Sequence, residues 1–114
     1  MELDLLGNLE RTHSCGELKL SNDGQSVVVM GWVNRRRDHG DLIFLDLRDR
    51  FGIVQIVLDK ELCPAAHTKA ESVRPEYVVA VQGRVRGRDA AVINPNMPTG
   101  EIEIFARDIE VLSA

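Results

Sequence analysis

The sequence predicts an all-β domain, a five-stranded barrel with one helix between its third and fourth strands. Three observations carry this expectation. Five stretches of strand length are dense in Val, Ile and Leu, and several of them alternate apolar with polar residues. One stretch between the third and fourth of these, "LCPAAHTKAESV", changes to helical spacing. Gly31 and Gly83 stand inside long strands, where a small and highly curved closed sheet has to bend.

The elements follow in order. Residues 1–11 read as a loosely tied lead-in, and Ser14 and Glu17 have the spacing of a capping box, which predicts one short helical turn. After the turn-forming "SNDGQ", Ser26–Arg37 is rich in β-branched residues and predicts a long first strand with Gly31 as its bulge or bend. Asp38–Asp41 is a loop. In the second strand, Leu42–Arg48, Ile43, Leu45 and Leu47 point to one face and Phe44, Asp46 and Arg48 to the other. "DRFG" turns the chain into a third strand, Ile53–Asp59, as an antiparallel hairpin in which Gln55 shares a face with Ile53 and Val57.

Leu62, Ala65, Ala66, Ala70 and Val73 then repeat at helical spacing with Pro64 in the first turn, which predicts a helix of about ten residues. Glu76–Arg88 is the fourth strand, "NPNMPTG" (Asn94–Gly100) a loop, and Glu101–Leu112 a fifth strand alternating acidic and apolar residues. Three strands, a helix and two strands is the order of the Greek-key OB-fold barrel. A small α+β sandwich is the alternative for the same pattern.

The chain has 114 residues, enough for one core, so residues 1–114 are read as a single domain. With 44% hydrophobic and 28% charged residues it has the composition of a folded soluble protein, and no run of apolar residues approaches the ~20 of a membrane span. No membrane partner and a cytoplasmic location are therefore expected. Cys15 and Cys63 form no paired motif and read as two reduced thiols in or near the core; with His13, His39 and His67 scattered, no metal site is expected. There is no glycine-rich phosphate loop and no nucleophile motif, so the chain by itself carries no catalytic residue.

The net charge is −4, yet 11 of the 14 basic residues are Arg, gathered at Arg35–Arg37, Arg48/Arg50 and Arg84/Arg86/Arg88. Guanidinium groups fork onto phosphates and base edges and stack on planar rings. OB barrels bind oligonucleotides on the face of strands 2 and 3 and with the loops joining strands 1–2 and 4–5. Arg37, Phe44 and Gln55 fall on that expected surface: Phe44 as a ring on which a base stacks, Gln55 as donor and acceptor at once, Arg37 as a fork. Glu103, facing the same groove, suits the N–H groups of guanine and repels phosphate, which favours base reading over backbone coating. Residue by residue the plainer readings stand beside these. Asp46, Arg48, Asp49 and Arg50 suit cross-strand ion pairs on a solvated face, and a single outward Phe suits a satellite core. Only the joint placement separates the two.

The string "GWVNRRRDHGDLIFLDLRDRFGIVQIV", with "THSCGEL" before it and "VRGR" and "INPNMPTGEIEI" after it, resembles the N-terminal anticodon-binding domain of bacterial-type aspartyl-tRNA synthetases over about Arg11 to Leu112. The resemblance implies a tRNA anticodon loop as the partner, with no DNA. It implies that Phe44 stacks on the central uridine, that Arg37 and Gln55 hydrogen-bond that base, that Glu103 recognises the first-position guanine, and that Arg88 and Asn94 approach the third position. Arg35 and Arg36 are then backbone contacts or structural support. His39 and the small Ala91 resemble the form of the family that also accepts asparagine tRNA, so that GUC and GUU anticodons are both read; lineage drift in two loops is the plainer account. For the parent enzyme the resemblance implies an ATP- and magnesium-dependent aspartate–tRNA ligase and a homodimer. Its class II catalytic domain is expected to lie outside these residues, leaving this domain a monomer with no cofactor of its own. Two competitors remain: a generic single-strand-binding OB domain, tolerant of base identity and sensitive to salt, and an OB barrel that contacts only proteins.

Overall fold

The computed structural model describes residues 11–114. Five strands form one closed barrel: β1 (Ser26–Asp38), β2 (Leu42–Asp49), β3 (Gly52–Asp59), β4 (Val78–Gly87) and β5 (Ile102–Ser113), in the spatial order β1-β2-β3-β5-β4. The one α-helix among the described residues, α1 (Pro64–Ala70), lies between β3 and β4, as expected. Short 3-10 turns occupy Leu20–Asn22 and Ala90–Val92. The predicted lead-in lies, except for Arg11, outside the described residues.

Alternation builds the core. Val27 and Val29, then Ile43, Leu45 and Leu47, then Val54, Ile56 and Leu58, all fill the barrel, and Val79, Val81, Val85, Ile102, Ile104 and Ile109 complete it. Ala66, Ala70 and Val73 join the same cluster and close one end of the barrel. Every second residue of these strands therefore faces outward, and that parity fixes which side chains are available to a partner. Cys15 is fully buried and Cys63 partly so, both as free thiols.

β3 and β5 run parallel, pairing Ile56 with Ile104 and Val57 with Phe105, and this contact closes the barrel. Three local expectations are corrected. The helix has seven residues, because Leu62 lies before it, 61% exposed, and Val73 packs into the core from the segment after it. Ser14 and Glu17 form a turn and not a helix, although the return bond of the box is made, the Ser14 N–H donating to Glu17 Oε1 at 2.6 Å. The bulge in β1 falls at Asn34, where the register skips between Val33 and Arg35, and not at Gly31.

The bulge has a topological cause. The first half of β1 pairs with β4 and the second half with β2; Val33, in register with Leu47 on β2, makes its backbone hydrogen bonds on the other side, donating to Tyr77 and accepting from Glu76 just before β4. Gly31 sits at this changeover because nothing larger fits: a Cβ there would lie 2.3 Å from the Arg48 carbonyl oxygen. That neighbour is backbone, so Gly31→Ala must push β2 away from β1. We expect it to cost roughly 2–4 kcal/mol of stability, read as a lower denaturant midpoint; an unchanged midpoint would show that the crossing is not tight.

Candidate nucleic-acid interface

Strand parity and register place two rows of side chains on the outer face. One row runs Arg37–Phe44–Val57–Phe105 across β1, β2, β3 and β5 through successive backbone pairs. The next runs Arg35–Asp46–Gln55 by the same pairing. It continues to Glu103, one residue before Ile104 on β5 as Gln55 is one before Ile56, and then to Arg86, which pairs with Glu103.

Gln55 is the centre of the second row. It faces outward as predicted but is only 8% exposed, because its neighbours cover it. Arg37 Nη2 donates to Gln55 Oε1 at 2.8 Å, and Gln55 Nε2 donates to Glu103 Oε1 at 2.8 Å. The two bonds fix which end of the amide points where, since a flipped amide would set its NH₂ against the guanidinium and its oxygen against the carboxylate. Asp46 Oδ1 stands 3.6 Å from Arg37 Nη2. Asp46 Oδ1 and Arg37 Nε are buried and make no hydrogen bond among the described residues.

Phe44 lies beside this network. The Arg37 guanidinium is 5.3 Å from its ring centroid, within cation–π range. The His39 ring meets it edge-on at 5.6 Å and 78°. His39 reaches this position from a firmly held 1–2 loop: Gly40, at φ +76°, gives its N–H to Asp38 Oδ1 at 2.9 Å, and its carbonyl bonds His67 Nε2 of α1 at 2.8 Å. The Gly40 N–H, and then Arg36, hold the Asp38 carboxyl below its ordinary value against a smaller upward push from desolvation. Arg36 also reaches the Glu71 carbonyl at 3.3 Å and so supports the fold.

Arg88 frames the far side. Its Nε donates to the Ile102 carbonyl at 3.0 Å and its Nη1 to that of Val92 at 3.4 Å, which ties the 4–5 loop to β5. Burial lowers its guanidinium from the ordinary value, while Glu103 and Asp46 pull it back. Phe44, Gln55, Val57, Arg88, Val92, Glu103 and Phe105 line a cleft of about 300 Å³ between these elements.

Four of the eight residues singled out in the sequence thus line one cleft: Phe44, Gln55, Arg88 and Glu103. Arg37 and His39 pack directly on its Phe44 wall. Ala91 and Asn94 do not line it. Ala91 is exposed on the 3-10 turn next to Val92, and the Asn94 side chain accepts the Asn96 N–H at 3.0 Å, shaping its own loop. Sequence reasoning missed Phe105 and counted one aromatic on this face where there are two. The signal was the alternation of β5 itself: Phe105 has the parity of Glu103. Asp49 also departs from expectation, being 9% exposed and bonded to backbone N–H groups in place of a solvated ion pair.

A family model described as an OB-fold nucleic acid binding domain matches residues 27–112. The aspartate–tRNA(Asp/Asn) ligase of Acidobacterium capsulatum is 60% identical over 111 residues, which is 97% of this chain and 18% of that protein. The enzyme of the same name from Caldanaerobacter subterraneus subsp. tengcongensis is 57% identical over 108 residues, 95% of this chain and 18% of that one. The chain thus spans less than a fifth of the curated relatives it matches. Among solved structures, asparaginyl-tRNA synthetase from Pyrococcus horikoshii superposes with a TM-score of 0.75 at 33% identity, over 92% of this chain and 23% of that one. The OBody AM3L15, solved bound to hen egg-white lysozyme, gives 0.80 at 26% identity, over 93% of this chain and 92% of that one. The closed five-stranded barrel with its helix between β3 and β4, the outward cleft and the matched span agree: the chain belongs to the OB-fold nucleic acid binding domain family.

Proposed function

We propose that this domain recognises the anticodon loop of tRNA as part of an aspartate–tRNA(Asp/Asn) ligase, reading GUC and GUU. The observation that carries this is the Gln55 amide, held between Arg37 and Glu103 beside an aromatic ring. With one lone pair and one N–H already engaged, Gln55 keeps one of each for a ligand. That is the pattern a uracil edge accepts, with its ring N–H facing the oxygen and a carbonyl facing the NH₂. Phe44 supplies the stacking surface for that base, and Arg37 reinforces the contact to it. Glu103 accepts from the ring N–H and amino group of the guanine before it. Arg88, with Asn94 in the adjoining loop, approaches the third base.

His39 touches the ring that holds the central base, and Ala91 leaves the rim of the 4–5 loop small. Both suit a site that tolerates either pyrimidine in the third position. The two relatives described above, named for both tRNAs, support this reading. On it, the domain works in the cytoplasm as a monomeric unit of a homodimeric enzyme, takes no cofactor itself, and leaves ATP and magnesium to a catalytic domain elsewhere in the parent. Among the described residues no helix is long and apolar enough to cross a membrane.

The test is titration of the chain with anticodon stem–loops carrying GUC, GUU and an unrelated triplet at one fixed salt concentration. The expected result is comparable binding of GUC and GUU and clearly weaker binding of the third. Equal binding of all three would replace the proposal with a generic single-strand binder; no binding at all would favour a surface for proteins. His39→Leu is expected to raise preference for GUC over GUU ~fivefold, the effect of about one hydrogen bond. Unchanged preference would sink the relaxed reading of His39 and leave the rest standing.

A further inference from the structure

Phe105 borders more than this cleft. The same ring also lines a second groove of about 240 Å³ between β5 and the segment leading into α1, with Leu62, Cys63, Arg84 and Arg107. Phe105 and Asp59 line both, so the two hollows are neighbours with a shared wall. Arg84 and Arg107 are exposed, and both residues stand beside the aromatic on the strands that flank it: Arg84 is the backbone partner of Phe105, and Arg107 is the residue skipped in the bulge opposite Gln82 and Gly83. The bulge shifts the register of β5 at that point and adds a cation to a rim that an unbroken strand would space differently. Arg86 packs its guanidinium 5.1 Å from the Phe105 ring centroid, which orients the ring as Arg37 orients Phe44. The Asp59 carboxylate is turned to the backbone, its Oδ1 accepting the Glu61 N–H at 2.9 Å.

An aromatic ring flanked by two exposed guanidiniums, on the wall shared with a cleft for bases, is the chemistry of a stacking step with its phosphate clamp. We propose that Phe105, Arg84 and Arg107 form an additional nucleotide site, which takes the single-stranded nucleotide immediately flanking the anticodon triplet: its base on Phe105, its phosphate between the two arginines. This rests on the anticodon reading of the main cleft and extends it from three nucleotides to four. Leu62, 61% exposed on the groove wall, offers the remaining apolar contact for the base. The site reads no base identity, since every base has a stacking face and none of its side chains is held as Gln55 is.

The experiment is titration of the 114-residue chain with GUC stem–loops whose flanking nucleotides are, one at a time, intact or abasic, using the native chain, Phe105→Leu and the Arg84→Ala/Arg107→Ala pair. Leucine keeps the apolar bulk on β5 and removes only the ring. Phe105→Leu is expected to weaken the intact loop roughly tenfold and to have no further effect on the loop abasic at the flank that occupies the site. The arginine pair is expected to reduce the dependence of binding on salt by about one phosphate's share. Cys63 on the groove wall gives a second readout: bound loop should slow its alkylation, and the abasic loop should not. If the intact loop binds selectively but neither abasic flank nor either variant changes affinity, the extra site is overturned and the main cleft stands. If the triplet itself is not distinguished from an unrelated one, the anticodon reading fails and this site with it.

Discussion

Gln55→Ala is expected to weaken binding of a GUC stem–loop roughly a hundredfold, the sum of one lost bidentate base contact and the disordering of its two supports. Among the described residues its amide alone touches both Arg37 and Glu103 at hydrogen-bond distance, and it does so from a position 8% exposed. Without it the guanidinium and the carboxylate, of opposite charge, draw towards each other across the space it leaves. That recovers part of the stability, so the expected folding cost is only ~1 kcal/mol, but it takes both groups away from the positions the proposed base contacts require. Gln55→Glu makes the sharper test because the shape hardly changes. Its one oxygen still accepts from Arg37, while the other stands where Nε2 was, 2.8 Å from Glu103 Oε1 with no proton between them. The expected order at neutral pH is native above alanine above glutamate, for both denaturant midpoint and stem–loop affinity. Packing alone would reverse the two variants, so a glutamate variant that binds as the native chain does would remove the network from the mechanism.

The contrast between Gln55 and Phe105 shows what the sequence could and could not tell. Strand content, helix position and the outward parity of Phe44 and Gln55 were legible because alternation within a strand is a local property. Of the residues that the resemblance to a known family then named, the barrel brings Arg37, His39, Phe44, Gln55, Arg88 and Glu103 together and leaves Ala91 and Asn94 outside the cleft. What the resemblance could not supply was how far the face continues. The alternation of β5 puts Phe105 on the face of Glu103, but its place beside Val57 comes from β5 lying parallel to β3 in one register, a contact between residues 48 positions apart. The same holds for Gly31, where the need for glycine comes from β2 crossing close over β1 and not from a bulge. The helix ran long in expectation because Leu62 and Val73 fit its period, although one is exposed and the other is buried by the turn that follows.

Asp49 is the clearest case of a residue whose type misleads and whose environment decides. In the string "LRDR" it reads as one more surface charge, yet it is 9% exposed and its carboxylate accepts three backbone N–H groups: those of Phe51 at 2.8 Å and Gly52 at 3.1 Å on Oδ1, and that of Cys15 at 2.8 Å on Oδ2. The first two shape the β2–β3 turn; the third pins the segment before β1 to the barrel. Asp49→Ala leaves these donors without their acceptor, each such loss costing about 1–3 kcal/mol when no water replaces it. We expect a total near 3 kcal/mol and a fall in Tm of roughly 12–20 °C for a domain of this size. Asp49→Asn, which keeps one accepting oxygen, should lose about half as much. Cys15 reports on the same contact independently. Burial, and then the neighbouring Asp49 carboxylate, hold its thiol well above its ordinary pKa, so in the native chain it should resist alkylation while Cys63 reacts. In Asp49→Ala, Cys15 should become alkylatable at temperatures where the barrel is still folded and still binds stem–loops, because Asp49 lines neither groove. A variant that melts with the native chain and keeps Cys15 protected would mean that the three bonds are replaced without cost, and that the turn is held by the close approach of Gly16 and Gly52 alone.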